Sequence, residues 1–320
     1  MNLALIGFGH VGRAFARLLA RQHSAFPFRI VGIHTARHGT ALEPRGLSFE
    51  PVFGPPAASV EEFLDAARAE VVLELTPLNP LTGEPAISHI RAAFRRRLHV
   101  VTANKGPIAH AYAALSQEAR EAGVEFRFEA AVMDGTPVFN LVRHCLPGAR
   151  VLGFAGVLNS TTSVVLEALE QGHPLEEGVA RARRLGIAEA DASYDLEGWD
   201  AAAKTAALAN VWLAAGVTPQ QVDTRGIGRL TPERVQALAA KGKRIKLVSR
   251  TRSTPRGIRL RVRAEVLPAT DILAAPRGPT NLLLIHTDLM GAVGTFSLAP
   301  GLEQTAYGLL ADLADIARSS

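Results

Sequence analysis

Leu3-Ala4-Leu5-Ile6-Gly7-Phe8-Gly9-His10-Val11-Gly12 decides the fold. Four apolar residues of strand length run into G-x-G-x-x-G, and Val11, Phe15, Leu18 and Leu19 then recur along one helix face. A strand, a glycine turn and a helix in that order are the context in which this motif carries meaning. The first glycine allows the tight turn, the second lets a pyrophosphate approach the backbone, and the third lets the helix pack close to the strand. Free N–H groups at the helix start then face the phosphates with the positive end of the helix dipole. A glycine turn without a ligand is the plainer reading, and the strand–helix context favours the ligand. Gly7, Phe8, Gly9, His10, Val11 and Gly12 are therefore candidate cofactor residues.

The same alternation continues. Phe28 to Ile33 reads as a second strand, Val60 to Ala69 as a helix, and Val71 to Leu75 as a buried parallel strand. Ala86 to Arg97 reads as a helix and His99 to Thr102 as a further strand. This predicts an α/β chain whose residues 1–128 form an N-terminal Rossmann domain, a doubly wound parallel sheet. Ligands of such sheets gather at the carboxyl ends of the strands. Thr76-Pro77-Leu78-Asn79-Pro80 and Ala103-Asn104-Lys105-Gly106-Pro107 both fall there, so Thr76, Pro77 and Lys105 join the candidates. At the end of the second strand stands His34-Thr35-Ala36-Arg37-His38, without the acid that would hold the ribose hydroxyls of NAD. Arg37 reads either as a solvated loop arginine or as a partner for a 2′-phosphate, and the missing acid favours NADP over NAD.

From about residue 128 the pattern changes. Phe126 to Ala131 reads as a strand, Val138 to Cys145 as a helix, and Val151 to Leu158 as an apolar strand. Asn159-Ser160-Thr161-Thr162 is placed to cap a helix over Val164 to Glu170. Arg259 to Val266, Asn281 to Thr287 and Thr295 to Leu298 read as strands, and Gln304 to Arg318 as a long helix. A second, α+β domain over 129–299 follows, with 300–320 closing the first domain. Within it, Gly186 to Lys204 holds five acids, Glu189, Asp191, Asp195, Glu197 and Asp200. Asp200 and Lys204 share a helix face. An exposed i,i+4 pair is the ordinary reading. However, no other charge occurs from Ala201 to Gly216, and a helix without a polar face is buried all round. A buried lysine and aspartate must pair, and desolvation then brings the lysine toward the range of a proton donor.

Bulk properties narrow the class. A chain of 320 residues with 48% hydrophobic content is globular and of two-domain size. The lone cysteine, Cys145, excludes an intrachain disulfide. No secretory leader opens the sequence, and the longest apolar run, Ala206 to Val217, is shorter than the roughly 20 residues that span a bilayer. A cytoplasmic protein without membrane partners is expected. The net charge of +5, Arg95-Arg96-Arg97, Lys241 to Lys246 and the arginines from Arg250 to Arg263 raise a nucleic-acid alternative. Arg259, Arg261 and Arg263 alternate with Leu260 and Val262, which is a strand with one solvated face, so no nucleic-acid partner is expected.

Taken in order, Gly7 to Gly12, Glu74 to Ala86, Thr102 to Lys105, Glu129 to Pro137, Gly156 to Thr162 and Gly186 to Lys204 resemble homoserine dehydrogenase. The resemblance implies reversible NAD(P)-dependent interconversion of L-homoserine and L-aspartate 4-semialdehyde by a homodimer. It implies Lys204 as proton donor, Asp200 as its partner, and Lys105 between cofactor and substrate. Glu189, Asp195, Asn159 and Thr161 would contact substrate, and Thr76 and Pro77 would flank the nicotinamide. Gly301 and Thr305 would belong to the closing glycine turn of the cofactor site. Glu129, Val132, Asp134 and Thr136 would hold a sodium ion, mainly through backbone carbonyls. The chain departs from the family at Ala192 for Pro, Ile187 for an aromatic residue, Ser160 for Gly, and Met133-Asp134 for small residues. With no aspartokinase segment before it and no ACT segment after it, the resemblance implies a short form. Another amino-acid dehydrogenase of similar architecture is the nearest rival.

Overall fold

The computed structural model describes residues 1–188, 191–254, 257–298 and 300–319, the last without its side chain. The chain forms two compact units, Met1–Leu141 with Gly301–Ser320, and Val142–Pro300. The boundary thus falls inside a helix, about one helix length beyond residue 128.

The first unit contains β1 (Asn2–Ile6), α1 (His10–Arg21), β2 (Arg29–Thr35), β3 (Gly39–Leu42), α2 (Val60–Ala67), β4 (Val71–Glu74), α3 (Ala86–Phe94), β5 (His99–Thr102), α4 (Lys105–Ala122), β6 (Phe126–Arg127) and most of α5 (Phe139–Cys145). Its sheet runs β3-β2-β1-β4-β5-β6, all parallel except the edge strand β3, which returns from β2 by a hairpin closed at Thr35 and Gly39. Strands covered on both faces must be apolar along their length, and Leu3, Ala4, Leu5, Val71, Val72 and Leu73 are fully buried. The chain leaves β1 toward β2 and later enters β4 on the other side, so β1 and β4 flank the switch point of the sheet. The C-terminal helix, Leu302–Ser319, packs Leu309, Leu313 and Ile316 into the same core as Leu3, Leu5, Phe15 and Leu19.

Three elements differ from the sequence reading. The hairpin strand β3 sits in a stretch with no alternation to announce it. Lys105 is the first residue of α4 rather than a loop residue, because the Asn104 side chain caps that helix by accepting from the Gly106 N–H at 2.9 Å. The strand expected over Phe126 to Ala131 stops at Arg127, and Glu129–Ala131 forms a 3₁₀ turn. There the Glu129 carboxylate accepts N–H groups of Val138, Phe139 and Asn140 at the start of α5. Its own N–H donates to Asp312 Oδ2 at 2.7 Å. Satisfying a helix N-terminus and a backbone turn together outweighs two more ladder bonds at a sheet edge.

The second unit contains β7 (Val151–Val157), α6 (Ser160–Glu170), α7 (Leu175–Arg184), α8 (Ser193–Leu196), α9 (Trp199–Leu213), β8 (Asp223–Arg225), α10 (Pro232–Ala239), β9 (Lys243–Thr254), β10 (Gly257–Pro268), β11 (Asn281–Thr287) and β12 (Gly291–Ser297). Its sheet order is β12-β11-β7-β9-β10-β8, antiparallel except for β10 beside β8. The basic run from Lys243 is β9. Arg250 and Arg261 both pair with Glu265 on the sheet, and Lys246 is buried with its ammonium donating to the Pro276 carbonyl. As the sequence requires, α9 is buried on almost every face and lies against β7, β9 and β10.

Close packing at Gly135 holds the C-terminal helix to the first unit. A Cβ there would fall 2.0 Å from the Gln304 carbonyl oxygen and 3.0 Å from the Gly308 N. Gly135→Ala is expected to lower the stability of the protein by about 1–3 kcal/mol. Denaturant unfolding checks this, and an unchanged midpoint would show that the helix shifts freely.

Candidate active site

The first unit has a crevice at the switch point of its sheet. Gly7 adopts φ +96°, and a Cβ there would lie 2.6 Å from the Leu75 carbonyl oxygen. The loops after β1 and β4 therefore meet backbone to backbone. Gly9 is different: a methyl group there would meet no protein atom within 4 Å, so packing does not demand glycine. Gly9 also leaves the first turn of α1 without a side-chain cap. Open space and unsatisfied N–H groups at a helix start fit the pyrophosphate of a dinucleotide. Beside them, Val11, Leu75, Thr76, Leu78, Ala103, Asn104 and Lys105 line a cleft of about 120 Å³. Asn104 binds the two loops together, its amide donating to the Thr76 carbonyl oxygen at 3.2 Å. Arg37 is exposed in the β2–β3 turn.

A polar cluster of the second unit lies at the carboxyl end of β7. Asn159 caps α6, its Oδ1 accepting the Thr162 N–H at 2.8 Å. Its amide donates to Asp195 Oδ1 at 2.6 Å and to Asp200 Oδ2 at 2.9 Å. From one turn further along α9, Lys204 Nζ donates to the Leu158 carbonyl oxygen at 2.7 Å and stands 3.2 Å from Asp200 Oδ2. The side chains of Lys204 and Asp200 keep 15% and 12% of their exposure, so the pair is buried but still reachable. Burial, and then the charge of Asp200, push the Asp195 carboxyl up; Asn159, Lys204 and Thr161 oppose the shift. Burial, with the charges of Asp200 and Asp195, likewise raises the Tyr194 phenol. A fixed ammonium beside two carboxylates can protonate a developing alkoxide and hold a small cationic group.

Comparison with known proteins gives this site its family. A family model described as homoserine dehydrogenase matches residues 137–314, and one described as homoserine dehydrogenase, NAD binding domain, matches residues 7–129. The chain belongs to the homoserine dehydrogenase family. It is thereby an NAD(P)-dependent oxidoreductase. It is 36% identical to an NAD(+)-dependent homoserine dehydrogenase of Pseudomonas canavaninivorans, across 100% of this chain and 97% of the relative. It is 34% identical to a homoserine dehydrogenase of Methanocaldococcus jannaschii, across 100% and 99%. Among solved structures, a putative homoserine dehydrogenase from Archaeoglobus fulgidus superposes with a TM-score of 0.88 at 29% identity, covering 99% of each chain. A hyperthermophilic archaeal homoserine dehydrogenase mutant in complex with NADPH superposes with a TM-score of 0.83 at 25% identity, covering 100% of this chain and 98% of the other.

Against this family, the residues expected from sequence fall into three groups. Lys204, Asp200, Asp195 and Asn159 form one bonded cluster, and Thr161 is beside it, donating to the Ile187 carbonyl oxygen at 3.0 Å. Val11, Thr76 and Lys105 line one crevice, with Pro77 exposed in the same loop, while Phe8 of the glycine turn is buried in the core. Glu189 lies outside the described residues. Elsewhere, Thr305 is buried, its hydroxyl within reach of Asp134 Oδ1 and the Gly301 carbonyl, so it serves the start of the C-terminal helix. No group of three or more His, Cys, Asp or Glu among the described residues gathers as metal ligands. The Glu129 carboxylate is engaged by three N–H groups. The larger hollow of about 410 Å³ beside α6 and α7 is a separate feature, with Arg181 and Arg184 in its wall paired to Glu177.

Sequence reasoning missed the Leu158 carbonyl, which no residue type announces. It also gave no role to Glu74, although an acid closing the apolar run Val71-Val72-Leu73 is a visible signal.

Two outcomes are expected. Gly9→Ala should leave the unfolding midpoint unchanged while weakening coenzyme binding at least about tenfold, since the methyl group displaces a phosphate and no protein atom. An unchanged affinity by coenzyme fluorescence titration would remove the pyrophosphate from this turn. For Asp195 the sign follows from its raised carboxyl. Protonation begins at a higher pH than for an ordinary carboxylate, so KM for an amino-acid substrate should rise as pH falls through that raised value. Asp195→Asn should flatten this limb in a KM–pH profile.

Proposed function

We propose that this chain reduces L-aspartate 4-semialdehyde reversibly to L-homoserine, with Lys204 as proton donor and NADP as the preferred coenzyme. The observation that carries the reading is the largely buried Lys204 ammonium, fixed by the Leu158 carbonyl and Asp200 and linked through Asn159 to Asp195. A bound nicotinamide supplies hydride to the aldehyde carbon. Negative charge then grows on the aldehyde oxygen, and Lys204 stabilises it and donates the proton that completes the alcohol. Asp200 holds the lysine in its charged form and in place. Asp195 and Glu189 offer carboxylates to the substrate ammonium, and Thr161 would contact the substrate beside them. In the first unit, Gly7 to Gly12 take the pyrophosphate, Thr76, Pro77 and Lys105 flank the nicotinamide, and Gly301 lies in the closing turn. No carboxylate occurs among residues 34–38 and Arg37 is exposed at the carboxyl end of β2, which supports a 2′-phosphate.

The same reading extends to assembly and place. Leu152, Leu289, Met290, Phe296 and Leu298 are exposed on β7 and on and around the β11–β12 hairpin, apolar surface that a homodimer would bury. A sodium ion in the 129–136 turn would rest on carbonyls of Glu129, Val132, Asp134 and Thr136. The enzyme would act on small molecules in the cytoplasm; no helix among the described residues is long and apolar enough to cross a membrane.

The test follows absorbance at 340 nm with L-homoserine and either NADP or NAD. Lys204→Ala is expected to lower kcat by about 10²–10⁴, the range for losing a positioned acid. Arg37→Ala should raise KM for NADP by about tenfold or more and leave KM for NAD unchanged, since a charged hydrogen bond contributes about 1.5–3 kcal/mol. Wild-type protein that binds coenzyme but does not turn over homoserine or the semialdehyde would end the substrate assignment. Equal Arg37→Ala effects on both coenzymes would end the NADP assignment.

A further inference from the structure

β4 reads Val71-Val72-Leu73-Glu74, and all four residues are buried, Glu74 to 0% exposure. The first three are what a strand covered on both faces requires, and a carboxylate is not. A buried charge of this kind persists only where hydrogen bonds compensate its lost hydration. Glu74 has those bonds, and two of them come from one residue. The Thr76 N–H donates to Glu74 Oε1 at 3.2 Å, and the Thr76 hydroxyl donates to the same oxygen. The Thr102 hydroxyl lies 3.3 Å from Oε2 and 2.9 Å from the Glu74 backbone oxygen, and His89 Nδ1 stands 3.4 Å from Oε1. From the opposite side the Asn104 amide donates to the Thr76 carbonyl oxygen, while the Asn104 N–H donates to Thr102 Oγ1 at 3.0 Å. Thr76 therefore has its N–H, hydroxyl and carbonyl all held, two of them by Glu74. Leu75, Thr76, Asn104 and Lys105 line the crevice; Glu74 does not.

We infer that Glu74 is a positioning residue of the dehydrogenase, a buried carboxylate that fixes Thr76 and so shapes the nicotinamide end of the crevice. The inference rests on the coenzyme placement proposed above. The hydrogen bonds of the Glu74 carboxylate described above run to Thr76, His89 and Thr102, and not to Gly7 to Gly12 or the Ala36–His38 turn, which take the adenosine diphosphate end in that placement. The consequence is selective: losing the carboxylate loosens the nicotinamide end and spares the other.

The experiment compares wild type, Glu74→Gln, Thr76→Val and the double variant. Fluorescence titration gives Kd for NADPH and NADH; calorimetry gives Kd for ADP-ribose with and without a 2′-phosphate, which lacks the nicotinamide; unfolding gives the midpoint. Glu74→Gln is expected to weaken the reduced coenzyme and lower kcat/KM each by about tenfold, with ADP-ribose affinity unchanged. Thr76→Val should reproduce the effect, and the double variant should be no worse than Glu74→Gln alone. Equal weakening of coenzyme and ADP-ribose, no weakening of either, or additive effects in the double variant would each overturn the inference. If Glu74→Gln does not fold, Thr76→Val decides: selective loss of coenzyme supports the inference, and unchanged affinity overturns it. Wild-type protein that binds neither coenzyme nor ADP-ribose would instead defeat the coenzyme placement itself.

Discussion

The carbonyl oxygen of Leu75 leaves no room for a side chain at residue 7. That single close approach ties the loop after β1 to the loop after β4, and the crevice on the first unit depends on it. It brings the unsatisfied N–H groups of α1 next to Thr76 and Lys105. It also requires the positive φ that only glycine adopts without strain, which is why the turn is built as it is. The Glu74 carboxylate and the Asn104 amide then fix the far wall, one from within the sheet and one from the start of α4. Parallel strands give a flat array of ends; these few hydrogen bonds turn two of the ends into a shaped cleft.

The second unit solves a harder electrostatic problem. It buries an ammonium and two carboxylates within one small cluster, where an isolated charge would be strongly disfavoured. The solution is shared donors. The Asn159 amide serves both acids, its oxygen caps α6, and Lys204 is split between a carboxylate and a backbone carbonyl. Burial first, and then the charge of Asp200, raise the Asp195 carboxyl despite the Asn159 amide and Lys204, and an incoming cation would offset both. The site is thus strained toward the kind of ligand it is proposed to hold.

The sequence made the main lines of this legible because they are one-dimensional signals. The glycine turn follows a four-residue apolar run, and the lack of any charge but Lys204 from Ala201 to Gly216 marks Lys204 and Asp200 as largely buried. Boundaries set by distant partners were not legible. Glu129 leaves the strand pattern because it caps a helix ten residues on and meets Asp312 from the far end of the chain. β3 exists because a hairpin needs a second strand at the edge, not because Gly39-Thr40-Ala41-Leu42 favours one. The basic run from Lys243 looked like a surface patch and is a central strand with one lysine buried, since alternation over so short a stretch does not say which cation points inward.

The helix Leu302–Ser319 shares its core with β1 and α1, at the opposite end of the sequence. A chain emerging from the ribosome in order therefore makes its first unit last. Leu3, Leu5, Phe15 and Leu19 must wait, with their apolar flank uncovered, until Leu309, Leu313 and Ile316 have been synthesised. The second unit, encoded in between without interruption, has its last strand made before that helix begins. In this protein the order of synthesis and the order of completion run in opposite directions. Truncation near the C-terminus would strike the coenzyme-binding unit, far removed in sequence though its glycine turn is.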